Sequence, residues 1–195
     1  MKKIILASLL AFGFTASAIA SEDGSGAYVG LAYGTTAFAD GDADEYVGAD
    51  LKDNKDSGYK IYGGYQFNKI VGVEATYTDY GDYSYPNTDL SPTAMSVGAN
   101  LGYNFLDGQL RPYALVGLSY LNLDQSKTDI YDKDSTVAYT YGIGIEYSPK
   151  VLNGLGFRAM WNTDIYIVDA TDANTDDDYY AQGFGMFSVA VQYKF

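Results

Sequence analysis

Four ionisable side chains stand out because of where they fall. Glu74, Arg111, Glu146 and Arg158 interrupt stretches that are otherwise apolar and alternating, and each shares its side of the alternation with glycine and small polar residues. Two carboxylates facing two guanidinium groups can form charge-assisted, bidentate hydrogen bonds. Inside a confined, water-poor space such pairing is close to obligatory, because an unpaired buried charge is costly. Two chemistries fit: an ion path or gate, and a polar plug that packs a narrow interior. The plug is the expectation, with Arg158 and Arg111 paired to Glu146 and Glu74. A narrow closed sheet is only wide enough for its own side chains.

Other chemistry has little to draw on. The chain contains no His and no Cys. Asp164 near Ser188 or Thr163 makes no recognisable triad, and Tyr and Asp alone rarely supply a general base poised at neutral pH. No catalytic, cofactor or metal residues are expected. Asp40-Gly41-Asp42-Ala43-Asp44 begins like a calcium loop, but Glu45 stands where the turn glycine belongs and Leu51 where the bidentate glutamate belongs. With no Cys there is no disulfide framework. The formal charge of −13 argues against nucleic acid as a partner.

The elements that must position these residues are read from period-two alternation. The closing stretch Phe184 to Phe195 puts Phe187, Val189, Val191, Tyr193 and Phe195 on one face and Met186, Ser188, Ala190, Gln192 and Lys194 on the other. Upstream, strands are expected over Gly26–Phe38, Gly58–Phe67, Ile70–Thr78, Ala94–Phe105, Leu110–Leu121, Thr136–Tyr147 and Gly154–Ile167. In the fifth, Ala114, Val116, Leu118 and Tyr120 are placed outward. That choice forces Leu115 and Leu121 inward, against the pattern. Asn68-Lys69 marks a tight turn, and Asp107-Gly108 a hairpin.

Long loops follow the first, third, fifth and seventh strands, and short turns follow the second, fourth and sixth. Outer-membrane barrels show this asymmetry, with long loops outside the cell and short turns in the periplasm. Each strand has roughly the 9–11 residues that a tilted membrane strand needs. Phe67, Phe105, Tyr147 and Phe195 fall together at the short-turn strand ends, as an aromatic girdle does. The chain holds 21 Tyr and 22 Gly: Tyr suits a membrane–water boundary, and Gly suits crowded, twisted strands. A soluble barrel would instead put the apolar face inside and Lys, Glu and Arg outside. The four loops carry nineteen of the 25 acidic residues. They are expected to be solvated, mutually repelling segments able to meet a cationic partner or a surface receptor.

The beginning of the chain reads as an address. Lys2 and Lys3 precede a short apolar run, Ile4 to Phe14, and Ala18-Ile19-Ala20 offers a small-residue cleavage site before Ser21. Residues 1–20 are therefore expected to be a signal peptide, and residues 21–195 a single all-β domain.

Several stretches, taken in order, resemble a family: Gly63-Gly64-Tyr65-Gln66-Phe67-Asn68, Val71-Gly72-Val73-Glu74, Leu101-Gly102-Tyr103, Gly144-Ile145-Glu146-Tyr147, Phe157-Arg158 and Val191-Gln192-Tyr193-Lys194-Phe195. They are similar to the transmembrane domain of outer membrane protein A and its small-barrel relatives. The resemblance implies an eight-stranded antiparallel up-and-down barrel in the outer membrane of a Gram-negative cell. It implies contact with membrane lipid and lipopolysaccharide, and an assembly machinery that reads the closing aromatics Tyr193 and Phe195. Glu74, Glu146 and Arg158 match the family's interior polar cluster, with Asn100 at a further position of it, and Arg111 joins them by alternation. Two departures carry expectations. The namesake continues into a peptidoglycan-binding domain, whereas this chain ends at Phe195, so wall tethering is not expected. The family's interior lysine, part of a proposed salt-bridge gate, is matched here by Asn100, which puts ion-pair exchange in doubt. The expected role is non-enzymatic: envelope integrity and adhesin-like surface interaction through the loops. The alternative is a narrow porin-like channel.

Overall fold

The computed structural model describes residues 24–41, 57–85, 88–124, 135–169 and 179–195. The expected signal peptide and much of the first, third and fourth loops lie outside the described residues. Alternating apolar and small or polar residues produce long strands: β1 (Gly26–Gly41), β2 (Ser57–Gln66), β3 (Val71–Asp79), β4 (Tyr83–Tyr85), β5 (Thr88–Leu90), β6 (Thr93–Gly102), β7 (Leu110–Asn122), β8 (Ser135–Tyr147), β9 (Leu155–Asp169) and β10 (Tyr179–Lys194). Eight of them close into a barrel in the order β1-β10-β9-β8-β7-β6-β3-β2. All its pairings are antiparallel, and the closing β10 hydrogen-bonds to β1 with Leu31 opposite Val191. Closure leaves no open edge, which is the condition for a sheet in hydrocarbon.

The expected phases hold, including the difficult one. Along β7 Arg111, Tyr113, Ser119 and Leu121 are buried, while Val116, Leu118 and Tyr120 are exposed. Leu31, Val97, Ile143, Val189 and Val191 likewise face outward, whereas Glu74, Arg158 and Asn162 are buried in the lumen. This inside-out arrangement is that of a membrane wall, because lipid rewards apolar contact and satisfies no polar group.

Element boundaries differ in three places. β6 ends at Gly102, and Tyr103 to Phe105 leave the strand, with only a bridge from Phe105 to Leu110. The hairpin there turns on Leu106 and Asp107, both at positive φ, followed by Gly108 at φ 83°. The second loop contains the small β4–β5 hairpin, which alternation did not mark. At the long-loop end β1, β9 and β10 run further than expected; β10 starts at Tyr179, inside what reads as the fourth loop.

The extension of those strands has a physical cause. At the long-loop end the lumen changes character: Tyr80, Leu121, Leu123, Tyr166, Phe184 and Met186 form a buried apolar cluster inside the barrel. The outward residues at the same level turn polar, with Thr93 paired to Asn122 and Asn122 to Ser135. On β6, β7 and β8 the wall thus ends in polar residues outside an apolar lumen, and sheet structure continues past the lipid-facing band. Leu121 therefore points inward because it belongs to this cap.

The lipid-facing wall makes a direct prediction. Ile143→Lys, in the middle of the apolar outer face of β8, should destabilise the folded barrel by about 2–4 kcal/mol, measured by reversible unfolding in lipid vesicles. A loss indistinguishable from zero would mean that Ile143 does not face hydrocarbon.

Candidate functional site

The polar cluster of the lumen is built by inward positions of β3, β6, β7, β8 and β9. Arg158 is its centre. Its Nη1 donates to Glu74 Oε2 at 2.7 Å and its Nη2 to Glu146 Oε2 at 3.3 Å. Glu146 lies directly opposite Arg158 across the β8–β9 ladder. Glu74 comes from β3, which sits four places around the ring from β9 in either direction. The Arg158–Glu74 pair is thus a strut across the barrel diameter. Both side chains are almost wholly enclosed.

The expected partner of Arg111 is not the observed one. Arg111 lies opposite Glu146 in the β7–β8 register, yet it makes no ion pair among the described residues. It donates instead to Asn100 Oδ1 at 2.8 Å, with a long contact to the Ile70 carbonyl. The cause is steric. The Arg111 guanidinium occupies the slot left by Gly102, where a Cβ would come within 2.6 Å of Arg111 Cζ. The side chain is thereby steered toward β6 and away from β8. Asn100 then acts as a neutral relay: it accepts from Arg111 and donates through Nδ2 to Glu74 Oε2 at 3.1 Å. An amide can do both, which a lysine cannot.

Three tyrosines enclose the centre. The Arg158 guanidinium lies 4.8, 4.6 and 4.9 Å from the ring centroids of Tyr28, Tyr62 and Tyr113. Such faces attract a desolvated cation. Tyr28 also donates to Glu74 Oε2 at 2.8 Å, so that one oxygen takes three donors. The rings fit because inward glycines stand opposite them: a Cβ on Gly144 would lie 2.7 Å from the Tyr113 ring, and Gly30 and Gly64 make room for Tyr62 and Tyr28. Alternation alone marks Tyr28 and Tyr62 as inward, but it does not show that they share one cation.

The remaining sequence-marked residues lie at the short-turn mouth. Tyr193 packs edge-on to Phe195 with ring centroids 5.1 Å apart, beside the matching pairs Tyr65–Phe67 and Tyr103–Phe105. Lys194 turns into the mouth and donates to Gln66 Oε1 and the Gly24 carbonyl. Chemically the cluster can neutralise, pack and hold. Its cation is fixed by two carboxylates and three rings.

The strut should dominate stability. Glu74→Ala leaves Arg158 half-paired and Asn100 and Tyr28 without their acceptor, and should cost about 3–5 kcal/mol. Asn100→Ala, which breaks only the relay, should cost about 1–3 kcal/mol. Urea unfolding of the refolded variants checks the order; equal losses would contradict it.

The chain is similar in fold to Neisserial surface protein A, at 18% identity, covering 88% of this chain and 99% of that one with a TM-score of 0.61. It is also similar to the outer membrane enzyme PagL, at 15% identity, with 85% and 98% covered and a TM-score of 0.50. The attachment invasion locus protein of Yersinia pestis gives 17% identity, 86% and 99% covered, and a TM-score of 0.49. No curated protein matches the sequence. The model of the outer membrane protein β-barrel domain matches residues 6–195. With an eight-stranded closed wall that is apolar outside and charged within, the chain belongs to the outer membrane protein β-barrel domain family, and its place is the cell outer membrane.

Proposed function

We propose that this barrel is a closed, non-enzymatic scaffold that strengthens the envelope and presents four acidic loops outside the cell for adhesin-like contacts. One observation carries the reading: side chains block the lumen at three levels, and the cavity left between them is only about 10 Å³. Lys194 and Gln66 occupy the short-turn mouth, the Arg158 network and its tyrosines the middle, and the Tyr80–Phe184 cluster the long-loop end. A solid interior suits a support and does not suit a conduit. Long loops face outward and short turns the periplasm, following the asymmetry of such barrels.

The non-enzymatic part rests on composition and geometry. The fold also serves an enzyme, so the fold alone decides nothing. A chain with no His and no Cys lacks the commonest general base and the thiol nucleophile. The partners proposed are membrane lipid and lipopolysaccharide along the apolar wall, the assembly machinery at Tyr193 and Phe195, and a surface receptor or cationic partner at the loops. The acidic character of those loops supports the last. A second reading, a narrow channel for ions, is favoured by the charged lining of the mid-lumen.

Planar-bilayer recording of the refolded protein separates the two. The closed scaffold gives no steady openings, and Glu146→Ala lowers stability without adding a large conductance. Regular openings of the unaltered protein would replace the scaffold with the channel. For the loops, cells carrying barrels with neutralised loop aspartates should lose binding to host-cell surfaces; undiminished binding would remove the adhesin part.

A further inference from the structure

A second charged layer lies between the Arg158 network and the apolar cap, and the network does not use it. Lys60 of β2, Asn162 and Asp164 of β9, and Tyr80 just beyond β3 are all buried. Lys60 Nζ donates to Asn162 Oδ1, and Tyr80 donates to Asp164 Oδ2 at 2.6 Å. The other carboxylate oxygen, Asp164 Oδ1, is buried without a hydrogen-bond partner among the described residues. Lys60 and Asp164 therefore share one layer with opposite charge, yet make no direct ion pair among those residues.

The space between them is itself informative. A cavity of about 10 Å³ has a mixed lining: Lys60, Thr76, Thr78, Thr140, Asn162 and Asp164 offer polar groups to it, and Leu115 and Met160 close its apolar side. That is about the room one water molecule needs, and polar groups of this kind give it partners. An ammonium group has three donors, and Asn162 takes one of those of Lys60. Asp164 Oδ1 needs a donor, since a carboxylate oxygen left bare in a low-dielectric interior is costly. Glu74 also borders the cavity, but it is already engaged by Arg158, Tyr28 and Asn100.

We propose that Lys60, Asp164 and the neighbouring threonine hydroxyls bind a single internal water that bridges Lys60 Nζ to Asp164 Oδ1, closing a second ion pair that locks β2 to β9 separately from the Arg158 strut. The lock extends the closed-lumen reading. β9 then acts as a spine: Arg158, Asn162 and Asp164 reach β3, β2 and the end of β3 from successive levels of one strand. The same arrangement accounts for a lysine in the lumen that neither carboxylate of the Arg158 network pairs.

The test is a double-mutant cycle on the full mature barrel in lipid vesicles, using Lys60→Met, Asp164→Asn and both together. Each single change leaves one charge alone in the lumen, so each should raise the unfolding equilibrium constant at least tenfold. The double variant should be no less stable than the worse single. Losses that multiply would overturn the lock. Where a single variant does not fold, the double should; failure of the double as well counts against the proposal. On the unaltered protein, nuclear magnetic resonance should show transfer from a long-lived water to Thr140 or Lys60 side-chain protons, and its absence would overturn the water bridge. A conducting wild type would end the closed-scaffold reading and leave this cycle intact, whereas multiplying losses would end the lock with the wild type still silent.

Discussion

Hydrocarbon offers no hydrogen bond, and every feature of this barrel answers to that constraint. Backbone groups must be paired within the sheet, so the sheet closes on itself with β10 against β1. Charged side chains must be turned inward, so Glu74, Glu146 and Arg158 meet in the lumen. Once inward, they lie in a space only as wide as their own side chains, and they must satisfy one another. The Arg158–Glu74 strut is the result. It spans opposite walls, and the tyrosine rings fill what the ion pair leaves.

The structure grades along its axis. At the short-turn end an aromatic belt faces out and Lys194 fills the mouth. In the middle the lumen is ionic and the wall apolar, with Ile143 beside Trp161 and Trp161 beside Phe187. At the long-loop end the arrangement inverts at the ends of β6, β7 and β8, with Phe184, Leu121 and Tyr166 inside and Thr93, Asn122 and Ser135 outside. The inversion marks where lipid gives way to water. It also gives the loops a firm base, since the barrel beneath them has a hydrophobic core of its own. A packed interior under long acidic loops is what the proposed scaffold reading requires.

Much of this was legible in the sequence, because a strand's two faces are written as odd and even positions. Phase, strand number and the gathering of Glu74, Glu146 and Arg158 all follow from that rule. Leu121 shows how far it reaches: its inward placement looked anomalous and is explained by the cap. Arg111 shows where it stops. Alternation says that Arg111 points inward, and the register even sets it opposite Glu146. The slot at Gly102 and the amide of Asn100 decide its partner, and both lie on a different strand. Alternation likewise turns Lys60 and Asn162 inward, but not toward each other. They are 102 residues apart in sequence and meet only across the closed lumen. Periodicity reports which face a residue occupies, not what it touches on the far wall.

Trp161 allows the most direct test of the inside-out wall. It is the single tryptophan of the chain, and it sits on the outer face of β9, 42% exposed, one position from the buried Asn162. Its fluorescence in vesicles containing brominated lipid should be strongly quenched, and water-borne iodide should have little effect. Strong quenching by iodide, with none from brominated lipid, would place this face in water and contradict the account.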